Sequence, residues 1–220
     1  MLANHTPNFK QKSLIIFDWD GTLMDSIGLI VESMRHAATQ HGLTVSDEAT
    51  RGIIGLSMHT AVATLFADVP ERHADLVQDY GAYYVQHCHD DTLFSGIAEL
   101  LHSLHAQGKT LAVATGKKRQ GLARVLPQTG VEALFSVTRC ADEAAGKPDP
   151  LMLRQILQVT GKAVSDAVMV GDSVHDLRMA HAIGMDSIAV SYGCAAADTL
   201  AGEQPSAMVD SVTALAALLV

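Results

Sequence analysis

Cysteine is scarce in this chain. Its 220 residues include three, at positions 88, 140 and 194. The number is odd and no two are spaced as Cys-x-x-Cys, so a disulfide framework is not expected, and reduced thiols in a cytoplasmic protein are. Positive charge is also short. Fifteen Lys and Arg stand against twenty-four Asp and Glu, a formal net charge of -9. That balance argues against a nucleic acid or an anionic membrane as partner. It also means that an anionic substrate needs local positive charge at its site. No apolar run reaches the roughly 20 residues that span a bilayer. The N-terminal residues Met1 to Lys10 are polar and carry no signal-peptide apolar core. Internal repeats and low-complexity tracts are missing too. What is present is a globular composition, 48% hydrophobic and 18% charged. It allows one large domain, or a core with a smaller insert.

The stretch Phe17 to Ser26, Phe-Asp-Trp-Asp-Gly-Thr-Leu-Met-Asp-Ser, is the most informative. It follows Ser13-Leu-Ile-Ile-Phe17, an apolar run that reads as a strand buried on both faces. Asp18 and Asp20 fall at the carboxyl end of that strand, two residues apart, and so point the same way along an extended chain. Trp19 between them points away and packs. Gly21 permits a sharp exit and Thr22 adds a hydroxyl. Acidic residues and Gly at a strand end also make plain turns. Two carboxylates this close repel unless a proton or a cation intervenes. A hard divalent ion suits oxygen ligands, and Mg2+ fits best.

The rest of the chain divides by period. Residues 1 to 12 read as a loose lead-in. After Ser26, Ile27, Ile30, Val31, Met34, Ala37 and Ala38 mark an amphipathic helix that Gly42 can stop. Ser46 and Ser57 can cap two more helices, and Pro70 suits the first turn of a fourth. From about Leu93 onward, helices alternate with short apolar strands at 110–114, 134–138, 167–170 and 186–190, with Met208-Val209 as a possible last one. Such alternation predicts an α/β fold, a doubly wound parallel sheet. About 95 residues separate Asp20 from Thr115, where a strand-helix-strand crossover needs about 30. The surplus predicts an inserted all-helical cap at 25–92, with the Rossmann-like core made of 1–24 and 93–220.

Ligands of open α/β sheets bind beyond the carboxyl ends of the strands. Three strands end there in reactive residues: Asp18 and Asp20, Thr115, and Asp172. Lys147, in Gly146-Lys147-Pro148, follows a fourth. In order, Asp18-Trp-Asp20-Gly-Thr22, Thr115, Lys147-Pro148 and Gly171-Asp172-Ser-Val-His-Asp176 resemble the four motifs of the haloacid dehalogenase-like hydrolases, most of which are phosphatases. The match runs from about 13 to 193. The resemblance implies a role for each residue. Asp18 is the nucleophile that takes the phosphoryl group, and Asp20 is the general acid and then the general base. Thr115, with nearby backbone N–H groups such as that of Gly116, holds the transferring oxygens. Lys147 offsets their charge. Mg2+ is held by Asp18, by Asp20 through its carbonyl, and by Asp172, with Asp176 in support.

Within the superfamily, the second carboxylate at Asp20 argues against dehalogenation. No Lys lies between Lys12 and Lys109, which removes a Schiff-base lysine from the cap and with it phosphonatase chemistry. The helical cap between the first two motifs is most similar to that of phosphoglycolate phosphatases and their pyrophosphatase and sugar-phosphate relatives. A β-phosphoglucomutase-like phosphotransferase shares Asp18 and Asp20. A receiver-like, non-enzymatic phospho-acceptor or a silent phosphate-binding protein is the reading from another class, disfavoured by the cap and the late Asp172. The cap offers Arg35, Arg51 and Arg72, and Arg51-Gly-Ile-Ile-Gly55 is the expected substrate-reading turn. Lys117, Lys118 and Arg119, at a helix start where cations are disfavoured, read either as a positive collar for the substrate or as a solvated face. His87-Cys88-His89-Asp90 has the residue types of a metal cluster but falls at the cap–core joint. The expected partner is a small phosphorylated metabolite, and the chain is expected to be a monomer or weak homodimer.

Overall fold

The structure, a computed structural model, describes residues 7–88 and 92–220. Six parallel strands form one sheet in the order β3-β2-β1-β4-β5-β6. They are β1 (Leu14–Phe17), β2 (Thr110–Ala114), β3 (Phe135–Arg139), β4 (Ala167–Gly171), β5 (Asp186–Val190) and β6 (Ala207–Val209). Four of them, β1, β2, β4 and β5, are buried on both faces almost throughout. That is why they read as unbroken apolar runs with no alternation. Ile15, Phe17, Leu111 and Val113 face one layer, packed by α5 (Ile97–Ala106) and α10 (Val212–Leu219). Leu14, Ile16, Ala112 and Ala114 face the other, packed by α7 (Leu151–Thr160) and α8 (Val174–His181). Helices on both faces make the sheet doubly wound.

Successive strands step from β1 to β2 and β3, then cross to β4 on the other side of β1. The crevice at the ends of β1 and β4 is therefore the switch point where such sheets bind ligands.

Between β1 and α5 the described chain contributes no sheet strand. It forms α1 (Ile27–Gln40), α2 (Asp47–Ile53), α3 (Met58–Leu65) and α4 (His73–His87). Ser46 Oγ accepts from Ala49 N at 3.0 Å and Ser57 Oγ from Thr60 N at 3.2 Å, so both serines cap their helices. Pro70 opens a short 3-10 turn ahead of α4, and so stands earlier than the first turn expected for it. Met34, Ala37, Ala38, Val62, Phe66 and Leu76 give this unit an apolar core of its own. Its entry and exit run side by side: Met24 bridges Leu93, Asp25 N donates to Thr92 O at 2.9 Å and Phe94 N to Leu23 O at 3.0 Å.

Two expectations need correction. The described part of the lead-in is tied down, because Phe9 is buried in the main core and Lys12 Nζ donates to Ser165 O and Asp186 Oδ2, both at 2.6 Å. A further helix, α9 (Ala197–Gly202), went unread because its six residues are too short to show a period. The remaining helix, α6 (Arg119–Val125), follows β2. No helix among the described residues is long and apolar enough to cross a membrane.

Candidate active site

β1 delivers Asp18 directly into the switch-point crevice, where its backbone N–H donates to Val170 O of β4 at 2.9 Å. The next residues turn sharply. Gly21 adopts φ +81, and a side chain there would overlap the Asp172 carboxylate and Ile27. Only glycine lets the loop pass that close at that φ. Asp172, just beyond β4, is fully buried. Thr22 Oγ1 donates to its Oδ1 at 2.9 Å and Cys194 N to its Oδ2 at 2.7 Å.

Lys147 reaches the same crevice from the segment after β3. Its Nζ lies 2.7 Å from Asp18 Oδ1 and 2.6 Å from Asp176 Oδ1, with all three side chains buried. Burial alone would lower the Lys147 pKa. The charges of Asp176 and Asp18 outweigh that effect and keep the ammonium protonated well above its usual range. The second oxygen of Asp176 is used by its own helix: Ser173 N and Ser173 Oγ donate to Oδ2 at 3.2 and 2.6 Å, the capping box of α8. Asp176 thus anchors both a helix start and Lys147.

Asp18, Asp172 and Asp176 bring carboxylate oxygens within 4.8 Å of one another. Burial raises the Asp18 pKa well above the ordinary range; Lys147 opposes this and the charges of Asp176 and Asp172 add to it. Burial likewise raises Asp172 to about 6, reinforced by Asp176. Three buried carboxylates against one ammonium leave an excess of negative charge that low-dielectric surroundings do not tolerate. Asp18 Oδ1 meets Lys147 as an ion pair, and among the described residues this buried oxygen has no further partner. A hard divalent cation with oxygen ligands fits this donor set. Asp18, Asp172 and Asp176 are the carboxylates within reach of such an ion, and Asp176 also holds Lys147 and the start of α8.

The carboxylate of Asp20 lies apart from that cluster. It accepts from Ser26 Oγ at 2.7 Å and from Lys117 Nζ at 2.7 and 2.9 Å. Lys117 also donates to Tyr84 Oη at 3.2 Å and sits 4.6 Å from the centre of that ring. Thr115 follows β2, is buried, and its Oγ1 accepts from Lys117 N at 3.1 Å. Gly116 lies so close to the turn between α2 and α3 that a Cβ would overlap the carbonyl oxygens of Gly55 and Leu56. A cavity of about 360 Å³ opens between the sheet edge and the helical unit. Asp18, Asp20, Thr115, Gly116 and Lys117 line it, together with apolar residues of α1 to α4.

Other sequence expectations fare differently. Arg51 is exposed on α2 and is not among the lining residues. Its helical position turns it away, whereas its neighbours Ile53 to Leu56 face the cavity. The three cations after Gly116 do not act as one collar. Lys117 enters the site. Lys118 is an exposed lining residue 3.1 Å from His59 Nε2, and Arg119 is held by Glu143, Thr138 and Asp142. In the 87–90 cluster, His87 Nδ1 pairs with Tyr83 O at 2.8 Å, and His89 and Asp90 lie outside the described residues. Sequence reasoning missed Ser26, Tyr84 and the Cys194 backbone N–H. Tyr84 is a buried residue of α4, and nothing in its spacing distinguishes it from helix core.

Fold and site together define a doubly wound α/β enzyme whose carboxylate–lysine centre sits at the switch point under a helical unit. The chain belongs to the haloacid dehalogenase-like hydrolase family, whose model matches residues 15–190. It is 34% identical to a protein named probable phosphatase IndB from Dickeya dadantii, over 91% of this chain and 90% of that one. It is 31% identical to a phosphoglycolate phosphatase from Aliivibrio fischeri, over 96% and 98%. A solved haloacid dehalogenase-like hydrolase from Streptococcus pneumoniae superposes with TM-score 0.82 at 24% identity, covering 94% of this chain and 98% of that one, and so shares the fold.

Proposed function

We propose that this hydrolase is a Mg2+-dependent phosphatase, similar to phosphoglycolate phosphatases, that cleaves a small phosphorylated metabolite through an aspartyl-phosphate. The observation that carries the reading is the buried Asp18 at the end of β1, paired with Lys147 at 2.7 Å and opening onto the cavity beside Asp20 and Thr115. Asp18 attacks phosphorus, the bond from phosphorus to the alcohol oxygen breaks, and Asp20 gives that oxygen its proton. Asp20 then takes a proton from water, which attacks the aspartyl-phosphate. Inorganic phosphate leaves and the Asp18 carboxylate is regenerated. Lys147 holds Asp18 in place and offsets charge on the transferring oxygens, and Thr115 and the N–H groups after it contact those oxygens. Lys117 releases Asp20 when the phosphate arrives and offers its charge to the substrate. Asp18, Asp172 and the carbonyl of Asp20 would hold Mg2+, with Asp176 in support. When bound, the ion supplies charge neutralisation for the phosphoryl oxygens.

Residues 25–92 act in this reading as a cap that closes over the site and excludes water. Support comes from the paired strands of chain at Met24 and Leu93, which confine the joint to one place, and from the contacts of Tyr84 with Lys117 and of Gly52 O with His175 Nε2 at 3.4 Å. A cytoplasmic monomer or weak homodimer, with no nucleic-acid or membrane partner, accords with the net charge of -9. Phosphate release from a panel of phosphorylated metabolites, with Mg2+ and with chelator, tests the activity. Release that needs Mg2+ and disappears in Asp18→Asn is expected. Release unchanged in Asp18→Asn would overturn the assignment of the nucleophile. Label passed to an acceptor sugar in preference to water would replace the phosphatase with a phosphotransferase. A crosslink between cap and core is expected to abolish turnover, and full activity in a locked-open form would exclude closure as a step.

A further inference from the structure

The cavity has polar groups at one end and hydrocarbon along its roof. Asp18, Asp20, Thr115 and Lys117 gather at the phosphate end. From α1 to α4 the described lining residues include Ile30, Ile53, Ile54, Met58, Tyr80 and Tyr84, and none is Asp, Glu, His, Lys or Arg. The arginines of this unit are directed elsewhere. Arg35 pairs with Asp47 at 3.4 Å, Arg72 Nη1 lies 3.4 Å from His41 Nδ1, and Arg51 is exposed. A volume of about 360 Å³ is also more than a two-carbon acid needs; pockets of roughly 300–1,000 Å³ enclose ligands of drug size.

These features decide what the leaving alcohol can be. The hydroxyls of a sugar, or a carboxylate two carbons from phosphorus, would lie against Ile53, Ile54 and Met58 with few partners. Burying an unpaired polar or charged group is costly, whereas an apolar group gains by leaving water. The cationic residues beyond Lys117, exposed Lys118 and half-buried Arg124, line the opposite, core side around α6. Exposed Gln120 lines that side too, so the charged groups among the described lining residues all belong to the core side and none to the roof.

We propose that the site takes a phosphomonoester of an apolar alcohol, aromatic or branched aliphatic. The phosphate lies at Asp18 and the hydrocarbon against Ile53, Ile54 and Tyr80. The inference rests on the phosphatase reading and narrows its substrate class.

The test uses the full chain with Mg2+. Values of kcat/KM are measured for ethyl, butyl, hexyl and phenyl phosphate, and for 2-phosphoglycolate and glucose 6-phosphate. The affinities of methyl-, butyl- and phenylphosphonate are measured alongside by calorimetry. The expected result is a rise in kcat/KM of about tenfold or more from ethyl to hexyl or phenyl phosphate, with phosphonate affinity rising in parallel. Tyr80→Ser is expected to flatten both series. A flat series in the unaltered protein, or 2-phosphoglycolate or glucose 6-phosphate as the best substrate, overturns the apolar class and leaves the phosphatase standing. If no ester is hydrolysed but phosphonate affinity still climbs with apolar size, the phosphatase reading fails and the apolar site remains.

Discussion

Asp18 and Asp20 are two residues apart, yet their surroundings give them different work. Asp18 is buried beside Lys147 and two more carboxylates, while Asp20 faces the cavity and is held by Ser26 and Lys117. In the proposed reaction the first would bond to phosphorus and the second would exchange a proton that must reach water. Asp20→Asn is therefore expected to lower kcat by roughly 10²–10⁴-fold, with an unchanged circular dichroism spectrum. Activity within tenfold of the parent would remove Asp20 from acid–base chemistry. Trp19, between them, is fully buried, and its indole N–H has no hydrogen-bond partner among the described residues. An unpaired buried donor costs about 1–3 kcal/mol. Trp19→Phe removes that donor while keeping a ring, so urea denaturation is expected to show a loss below about 1.5 kcal/mol. Trp19→Ala, which empties the site, is expected to lose about 3–5 kcal/mol.

At the scale of elements, the junction of β2 and α6 sets the distance between core and helical unit. Gly116 passes under the carbonyl oxygens of Gly55 and Leu56 with no room for a Cβ. Gly116→Ala has to push that turn outward, displacing the roof of the cavity. A misplacement of about 1 Å can cost ~10²-fold, so a fall of that order in kcat/KM is expected, with little change in the melting temperature. A variant that melts early but retains full kcat/KM would contradict this. On the outer side of the same junction, Arg119 Nη2 pairs with Glu143 Oε2 at 2.7 Å. The hydrogen bond from Arg119 holds the Glu143 pKa below its ordinary 4.5. A depressed acid stabilises the fold above its unfolded pKa and loses that contribution as pH falls through the folded value. The stability gap between the parent and Glu143→Gln is thus expected to be small at neutral pH, within about 1 kcal/mol for so accessible a pair. It is expected to vanish in denaturation series taken well below pH 4.5. A gap that widens in acid would reverse the sign assigned here.

For the whole molecule, the switch point concentrates the buried charge of several elements in one place: Asp18 after β1, Lys147 after β3, Asp172 and Asp176 around the start of α8. A cation that binds only the folded state stabilises it by about 2.7 kcal/mol at a hundred times its Kd. For a chain of this size, that corresponds to roughly 5–10 °C in the melting midpoint. Mg2+ is expected to raise the midpoint by that order, chelator to reverse it, and Asp172→Asn to abolish the response. An equal Mg2+ response in Asp172→Asn would place the ion elsewhere.

Much of this was legible in the residues themselves. Strands buried on both faces must be apolar throughout, and helices with one buried face must repeat every three to four residues, so the alternation of elements and the doubly wound class follow from pattern alone. Asp18, Lys147 and Asp172 were legible because reactive residues at or after strand ends share one edge of a parallel sheet, and Asp176 through the resemblance of Gly171-Asp172-Ser-Val-His-Asp176 to the family's fourth motif. Position along the chain does not determine which way a side chain turns. Arg51 and Ile53 are two residues apart on one short helix, and only packing against the core sends the isoleucine into the cavity and the arginine into solvent. Lys117 and Arg119 likewise look equivalent in sequence, yet one meets Asp20 and the other Glu143. Composition and periodicity determined the sheet, its helices and the carboxylates at its edge, because those depend on local geometry and burial. The apolar roof, the pairing of Lys117 with Asp20 and Tyr84, and the exclusion of Arg51 were decided by tertiary structure, because they arise where segments distant in the chain are packed face to face.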